Sequence, residues 1–235
     1  MEGRRMKHSK SEKQIAGEKA TDYIKDGMVV GLGTGSTVYY TIKRLGTLVK
    51  KGLKIEAVST SSATTKLAKS LGIPLVSAND VSRIDVTIDG ADEIDPRFYA
   101  IKGGGGALLY EKIVATISRK VICVVDSTKL TNQIGRFPLP VEVVPFAYKH
   151  VLKKLAKNGL EATLRLNEDK KPYLTDEKNM ILDLRLGRIE SPTELADWLN
   201  GIPGIVEHGL FIDLINEVMV GEKNLCKILK RKQDR

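Results

Sequence analysis

Long apolar runs are missing from this sequence, and that absence sets its first limit. Such runs stop after about five residues, as at 121–125, far short of the roughly 20 that cross a bilayer as a helix. The basic first ten residues are followed by no apolar core, so they do not read as a secretory signal. Cysteine is nearly absent. Cys123 sits inside an apolar run and Cys226 in a charged tail, too few for a disulfide framework, which fits a reducing cytosol. Histidine is scarce, at His8, His150 and His208, and aromatic residues make up only 5%. There is no internal repeat and no low-complexity segment. What remains is 235 residues with 42% hydrophobic content, enough for one large domain or two modest ones with a proper core.

The net charge of +9 raises the question of nucleic acid. Its distribution argues against it: residues 1–10 carry +3 and residues 223–235 carry +5, leaving +1 for everything between. A nucleic-acid groove sets basic residues among aromatics on a folded face. Here the basic ends read as solvated tails, with no nucleic-acid partner and no membrane partner.

Apolar segments and helical spacing alternate along the first half. Residues 12–25 read as a helix that Gly27 can cap, 28–32 as a buried strand, 37–50 as a helix, 54–59 as a strand and 62–70 as a helix. Short strands follow at 73–76 and 84–88, a helix at 107–118 and a strand at 121–125. Apolar strands alternating with helices imply a parallel sheet covered on both faces. After residues 137–140 the rhythm changes to strand 141–146, helix 149–157, strands 161–166 and 180–186, helix 192–200 and strand 205–210. That β-α-β-β-α-β order is a split βαβ arrangement. Ser191 reads as N-cap of the 192–200 helix, with Pro192 in its first turn. Residues 217–220 read as a strand returning to the large sheet. The fold expected is α/β: a Rossmann-like, mostly parallel sheet with helices on both faces, plus a smaller α+β, ferredoxin-like domain. The division expected is 1–136, completed by 212–235, and 137–211.

Four polar clusters fall at the carboxyl ends of expected strands, where open α/β sheets bind ligands. The first, GLGTGST at 31–37, follows a strand and opens a helix. Its glycines turn tightly while Thr34, Ser36 and Thr37 bring hydroxyls to the helix N–H groups, a phosphate cradle in which Gly35 completes the turn. Ser36 breaks the dinucleotide spacing, and no acid closes the next strand, so a phosphate monoester fits better than NAD; a purely structural glycine turn is the alternative. The second, DGADE at 89–93 with Asp95 after it, gathers four acids in seven residues. They need a divalent metal, a lysine or the hydroxyls of a polyol, unless the loop is simply solvated. No histidine lies nearby, which disfavours a metal. The third is Lys102 with four glycines, 103–106, whose entropic cost is ordinarily met by close approach of backbone to a ligand. Lys102 can set a positive charge beside Asp89 and Asp92. The fourth is Glu111, whose neighbours three and four residues away, Ala107, Leu108, Val114 and Ala115, are all apolar. A desolvated carboxylate is a stronger base; the alternative is a helix apolar all round in which Glu111 pairs with a lysine. Lys129, in DSTK at 126–129, adds an ammonium at the same edge.

In this order the clusters resemble the type A family of ribose-5-phosphate isomerases: GTGST at 33–37, DGADE at 89–93, KGGGGALLYEK at 102–112, DSTK at 126–129, FPLPVEV at 137–143 and GIPGIVEHGLF at 201–211. The resemblance covers the chain apart from its charged ends. It implies interconversion of D-ribose 5-phosphate and D-ribulose 5-phosphate through an enediol, with no metal or organic cofactor, in a cytoplasmic homodimer or homotetramer. It implies Glu111 as catalytic base, with Asp89, Asp92 and Lys102 assisting. Thr34, Gly35, Ser36, Thr37, Asp89, Gly90, Ala91, Asp92, Lys102, Gly103, Gly104, Gly105 and Lys129 match substrate-binding positions, and Lys13 falls where the family places a phosphate-contacting lysine. Tyr110 departs from the family, in which a basic residue often precedes the glutamate. Rival readings are an amino-sugar-phosphate deaminase or CoA-transferase, which the DGADE and KGGGG pairing disfavours, and a sugar-phosphate-sensing module of a regulator. The latter needs a DNA-binding domain, which ten residues before the first helix do not supply.

Overall fold

The computed structural model describes residues 10–231. The basic stretch at 1–9, with His8, and residues 232–235 lie outside it, so the expectation of solvated tails is met with structure only at the C-terminal end, where it is corrected in part below.

The central sheet has six strands in the order β13-β12-β6-β3-β1-β2, namely Leu225–Lys230, Glu217–Glu222, Val121–Asp126, Val86–Asp89, Val29–Leu32 and Glu56–Ser59. The four pairings from β12 to β2 are parallel; β13 joins β12 antiparallel. Side chains of a strand alternate between faces, and the two faces are both dry. Val30, Leu32, Ile122, Val124 and Met219 pack with Ala16, Val38, Ile42 and Leu45 of helices α1 (Glu12–Ala20) and α2 (Val38–Lys50). Val121, Cys123, Val125, Val218 and Val220 pack with Phe211 and with Ala115 of α4 (Leu108–Thr116). Helix α3 (Ser62–Ser70) starts where the sequence places it, with the Ser61 hydroxyl accepting from the Thr64 N–H.

A second sheet, β10-β7-β9-β8, is antiparallel throughout: Ile205–His208, Leu139–Val143, Met180–Arg185 and Glu161–Leu164. With helices α5 (Tyr148–Lys157) and α6 (Pro192–Asn200), this is the strand order of a split βαβ unit. A third sheet, absent from the sequence reading, joins β11 (Leu210–Phe211), β5 (Ala100–Ile101) and β4 (Glu93–Ile94).

Other details differ from the expectations. Helix α1 stops at Ala20 in a tighter turn, Thr21–Tyr23, and Gly27 at φ +80° lies beyond it and caps nothing. Residues 73–76 form no strand. Pro74 has no N–H to give a ladder, and only Leu75 bridges to Ala57. Ser191 stands at the N-cap of α6 without a side-chain capping bond. The strand expected at 205–210 breaks at Gly209, where any Cβ would meet the Lys102 carbonyl oxygen at 2.2 Å. Within the basic C-terminal stretch, residues 225–230 are not a tail but a largely exposed edge strand. Among the described residues no helix is long and apolar enough to cross a membrane.

Candidate active site

In the large sheet the chain leaves β1 towards β2 on one side, while β3 lies on the other. A cleft opens at such a switch point, outside the carboxyl ends of the strands. Loop 33–37 leaves the end of β1, Asp89 is the last residue of β3, and α4 brings Glu111 over the same edge.

Three charged side chains meet there. Lys102 Nζ lies 3.1 Å from Asp89 Oδ2 and 3.3 Å from Glu111 Oε2, and donates to the Gly90 carbonyl at 2.5 Å. None of the three is more than 4% exposed. Asp89 Oδ1 accepts from the N–H groups of Gly90 at 2.7 Å and Thr34 at 3.2 Å. Gly33 makes room for it, since any Cβ there would stand 2.0 Å from that oxygen. Glu111 Oε2 is buried and makes no well-aligned hydrogen bond, its partner being the Lys102 ammonium at 3.3 Å. Such an acceptor is costly to leave poorly met, and a site built for a ligand is one place it persists.

The electrostatics follow from dryness and crowding. Burial pushes the Glu111 carboxyl up to about 8; the negative charge of Asp89 adds to the push and Lys102 opposes it. Burial likewise raises Asp89 against the pull of Lys102. For Lys102 burial disfavours the ammonium, but Asp89 and Glu111 outweigh it and hold the group above its ordinary value. A carboxyl held near neutrality beside a fixed ammonium can take a proton from carbon and return it.

From this trio an open cleft of about 120 Å³ runs to loop 33–37. Its walls carry Lys13, Thr34, Gly35, Ser36, Thr37, Gly90, Ala91, Asp92, Lys102, Gly103, Gly105, Glu111 and Lys129. Gly104 stands beside it, its N–H donating to Asp92 Oδ2 at 2.7 Å. The candidate residues are thus gathered in one place. Lys13 Nζ donates to Ser36 Oγ at 2.9 Å, and its neighbour Glu12 accepts from the Ser127 N–H and hydroxyl, which ties α1 to the turn carrying Lys129.

Three readings need correction. Thr34 does not offer its hydroxyl to the cradle: it lies 2.8 Å from the hydroxyls of both Thr60 and Ser61 and 3.2 Å from that of Thr64, while its N–H is given to Asp89. Lys102 pairs with Asp89 and Glu111, not with Asp92. The four acids also disperse. Glu93 meets the Gly135 N–H and Arg136, Asp95 meets Arg97, Asp89 sits behind the cleft wall paired with Lys102, and of the four only Asp92 lines the cleft. Among the described residues no three His, Cys, Asp or Glu side chains converge as they would around a metal ion.

The sequence also hid a brace. The carbonyl oxygens of Gly103 and Gly104 accept from Arg165, and that of Gly105 accepts from Tyr173, both on the connection between β8 and β9. Nothing in local spacing links residue 103 to residue 165.

With this geometry in hand, comparison with known proteins is specific. Residues 56–225 match the family model described as "Ribose 5-phosphate isomerase A (phosphoriboisomerase A)". A relative from Listeria innocua named ribose-5-phosphate isomerase A is 53% identical, over 90% of this chain and 95% of its own length. Two solved structures superpose closely. One, a D-ribose-5-phosphate isomerase in complex with phospho-erythronic acid, has a TM-score of 0.90 at 41% identity, covering 93% of this chain and 97% of that one. The other, ribose 5-phosphate isomerase A from Methanocaldococcus jannaschii, has a TM-score of 0.89 at 40% identity over the same shares.

Proposed function

The chain belongs to the ribose 5-phosphate isomerase A family, and from that premise we infer that it interconverts D-ribose 5-phosphate and D-ribulose 5-phosphate. The observation that carries the mechanism is a buried Glu111 carboxyl whose Oε2 lies 3.3 Å from the Lys102 ammonium without a well-aligned hydrogen bond, on the wall of an otherwise polar cleft.

The phosphate docks at the start of α2, on the backbone N–H groups of residues 35–37 and the Ser36 hydroxyl, with Lys13 and Lys129 flanking it. A helix N-terminus favours an anion, and two ammonium groups add to that. The far end of the sugar then lies at the trio. Asp89 or Asp92 exchanges a proton with a ring hydroxyl to free the aldehyde. Glu111 as carboxylate takes the C2 proton; the C–H electron pair becomes the C1–C2 double bond, and the carbonyl pair moves to O1, which is protonated. Glu111 then returns its proton to C1 while the O2 proton leaves, and a ketone stands at C2. Lys102 offsets the charge that builds on the oxygens. One preorganised donor of this kind lowers a barrier by about 3 kcal/mol. Phospho-erythronic acid, held by one relative, carries a phosphate at one end and a planar carboxylate where the enediol oxygens would form.

We place residues 1–136 with 212–235 as the catalytic domain and 137–211 as a smaller domain that completes the cleft wall from behind. We also place the protein in the cytosol, in keeping with free Cys123 and Cys226, as an assembly of two or four copies. The test is direct. The purified chain given ribose 5-phosphate should yield ribulose 5-phosphate. Failure to form ketose, or release of ammonia from an amino-sugar phosphate instead, would overturn the reading.

A further inference from the structure

We propose that Arg165 is a positioning residue for the isomerisation, acting through the glycine loop. The inference rests on the isomerase reading and adds to it the group that aims the loop's donor. Gly103 and Gly106 stand at φ +95° and +80°, a left-handed backbone, in a loop of four glycines with no side chains to anchor it. The anchor comes from outside. Arg165 Nη1 donates to the Gly103 carbonyl at 2.9 Å and the Gly104 carbonyl at 3.1 Å, and the Tyr173 hydroxyl donates to the Gly105 carbonyl at 3.2 Å. Arg165 is itself fixed. Its Nε donates to Asp183 Oδ2 at 2.9 Å and its Nη2 to Oδ1 of the same carboxylate, a two-pronged pair on β9.

Peptide geometry turns these bonds into a direction. In a planar trans peptide the carbonyl and the amide point opposite ways. Carbonyls 103 and 104 turned towards Arg165 therefore aim the N–H groups of residues 104 and 105 away from it, while the N–H of residue 106 turns back inside the loop. The first meets Asp92 Oδ2 at 2.7 Å and the third returns to the Gly103 carbonyl at 2.9 Å. The middle one belongs to Gly105, on the wall of the cleft that also holds Glu111 and Lys102. Of the three it is the one left to meet a substrate oxygen that gains negative charge. Arg165 sets a full positive charge against the carbonyl of that same peptide, which polarises its N–H into a stronger donor. The same arm steadies the opposite wall: Asp176 accepts from the N–H and hydroxyl of Ser62, both at 2.8 Å, beside the Ser61 that bonds Thr34.

The experiment compares wild type, Arg165→Met and Arg165→Lys with two competitive probes. Phospho-erythronic acid presents a charged carboxylate where the enediol oxygens form, whereas ribitol 5-phosphate keeps the phosphate and hydroxyls without that charge. Losing a polarised donor should lower kcat of Arg165→Met by about thirtyfold, less than removal of the donor itself. Inhibition by phospho-erythronic acid should weaken at least about tenfold while ribitol 5-phosphate stays within about twofold, because only the charged oxygens feel the donor. Arg165→Lys should recover part of the loss, since it keeps the charge without the fork. If Arg165→Met does not fold, the probe ratio is read on Arg165→Lys, where it must still shift by at least about threefold on the same reasoning. Equal weakening of both probes, which is general loosening, or no change in either, overturns the proposal. A wild type that turns over ribose 5-phosphate beside an unaffected Arg165→Met removes only this role; a wild type without turnover removes the isomerase reading.

Discussion

Replacing Glu111 by glutamine should make the protein more stable, and increasingly so as pH rises. Burial lifts this carboxyl to about 8 in the folded chain, against an ordinary 4.5. The folded state therefore binds the proton more tightly than the unfolded one. The stability this group contributes is complete below pH 4.5 and is lost as pH climbs towards 8. At pH 7 the folded chain holds a proton that the unfolded chain has released, a difference of about 3 kcal/mol at about 1.4 kcal/mol per pH unit. By pH 9 it reaches about 5 kcal/mol, since the folded carboxylate then stands ionised and dry. Glutamine has nearly the shape of the protonated acid and nothing to titrate, and Lys102 keeps Asp89 as partner. Urea unfolding of both proteins at pH 5, 7 and 9 reads the difference. The midpoints should nearly coincide at pH 5 and separate progressively, with the glutamine variant higher and the denaturant slopes equal. A separation that is absent, or the same at all three pH values, would refute the claim that this carboxyl is held dry.

Three further outcomes follow from the same geometry. For wild type, kcat/KM should rise about tenfold per pH unit up to about pH 8 and then level, because the free enzyme's base must be ionised; a profile flat from pH 6 to 9 would contradict this. Gly33→Ala should cut kcat by about a hundredfold, because its Cβ, 2.0 Å from Asp89 Oδ1, pushes that carboxylate off Lys102; a thermal melt should show an overpacking penalty of about 1–3 kcal/mol. Lys13→Met should raise KM for ribose 5-phosphate by about tenfold, the value of one charged hydrogen bond, while kcat changes little. An unchanged KM there would remove Lys13 from phosphate recognition.

Much of this was legible in the residues, for identifiable reasons. Buried parallel strands are written as apolar runs, so Val121–Asp126 and Val29–Leu32 stand out without any partner being known. Glu111 betrays its dry setting because helix geometry puts Leu108, Val114 and Ala115 on its own face, and all three are buried. What stayed hidden depends on contacts between distant residues. Two-residue strands such as Glu93–Ile94 and Ala100–Ile101 are too short to show a period. Leu225–Lys230 reads as a tail because its lysines outweigh a weak alternation, yet an exposed edge strand is where lysines belong. The inward turn of the Thr34 hydroxyl depends on Thr60, Ser61 and Thr64, and the grip on the glycine loop depends on Arg165 and Tyr173. Clusters of acids mislead for the same reason: DGADE looks like one site, but strand geometry sends Glu93 to Arg136 and leaves Asp89 to Lys102.

The claim on which the mechanism stands is that Glu111 carries the proton between two neighbouring carbons. Ketose formation from ribose 5-phosphate by Glu111→Gln, with phospho-erythronic acid binding measured alongside, addresses it most directly. The account predicts a fall in kcat of about a thousandfold, within the range a general base supplies, with the phosphate ligand still bound. Turnover within tenfold of wild type would show that another group moves the proton.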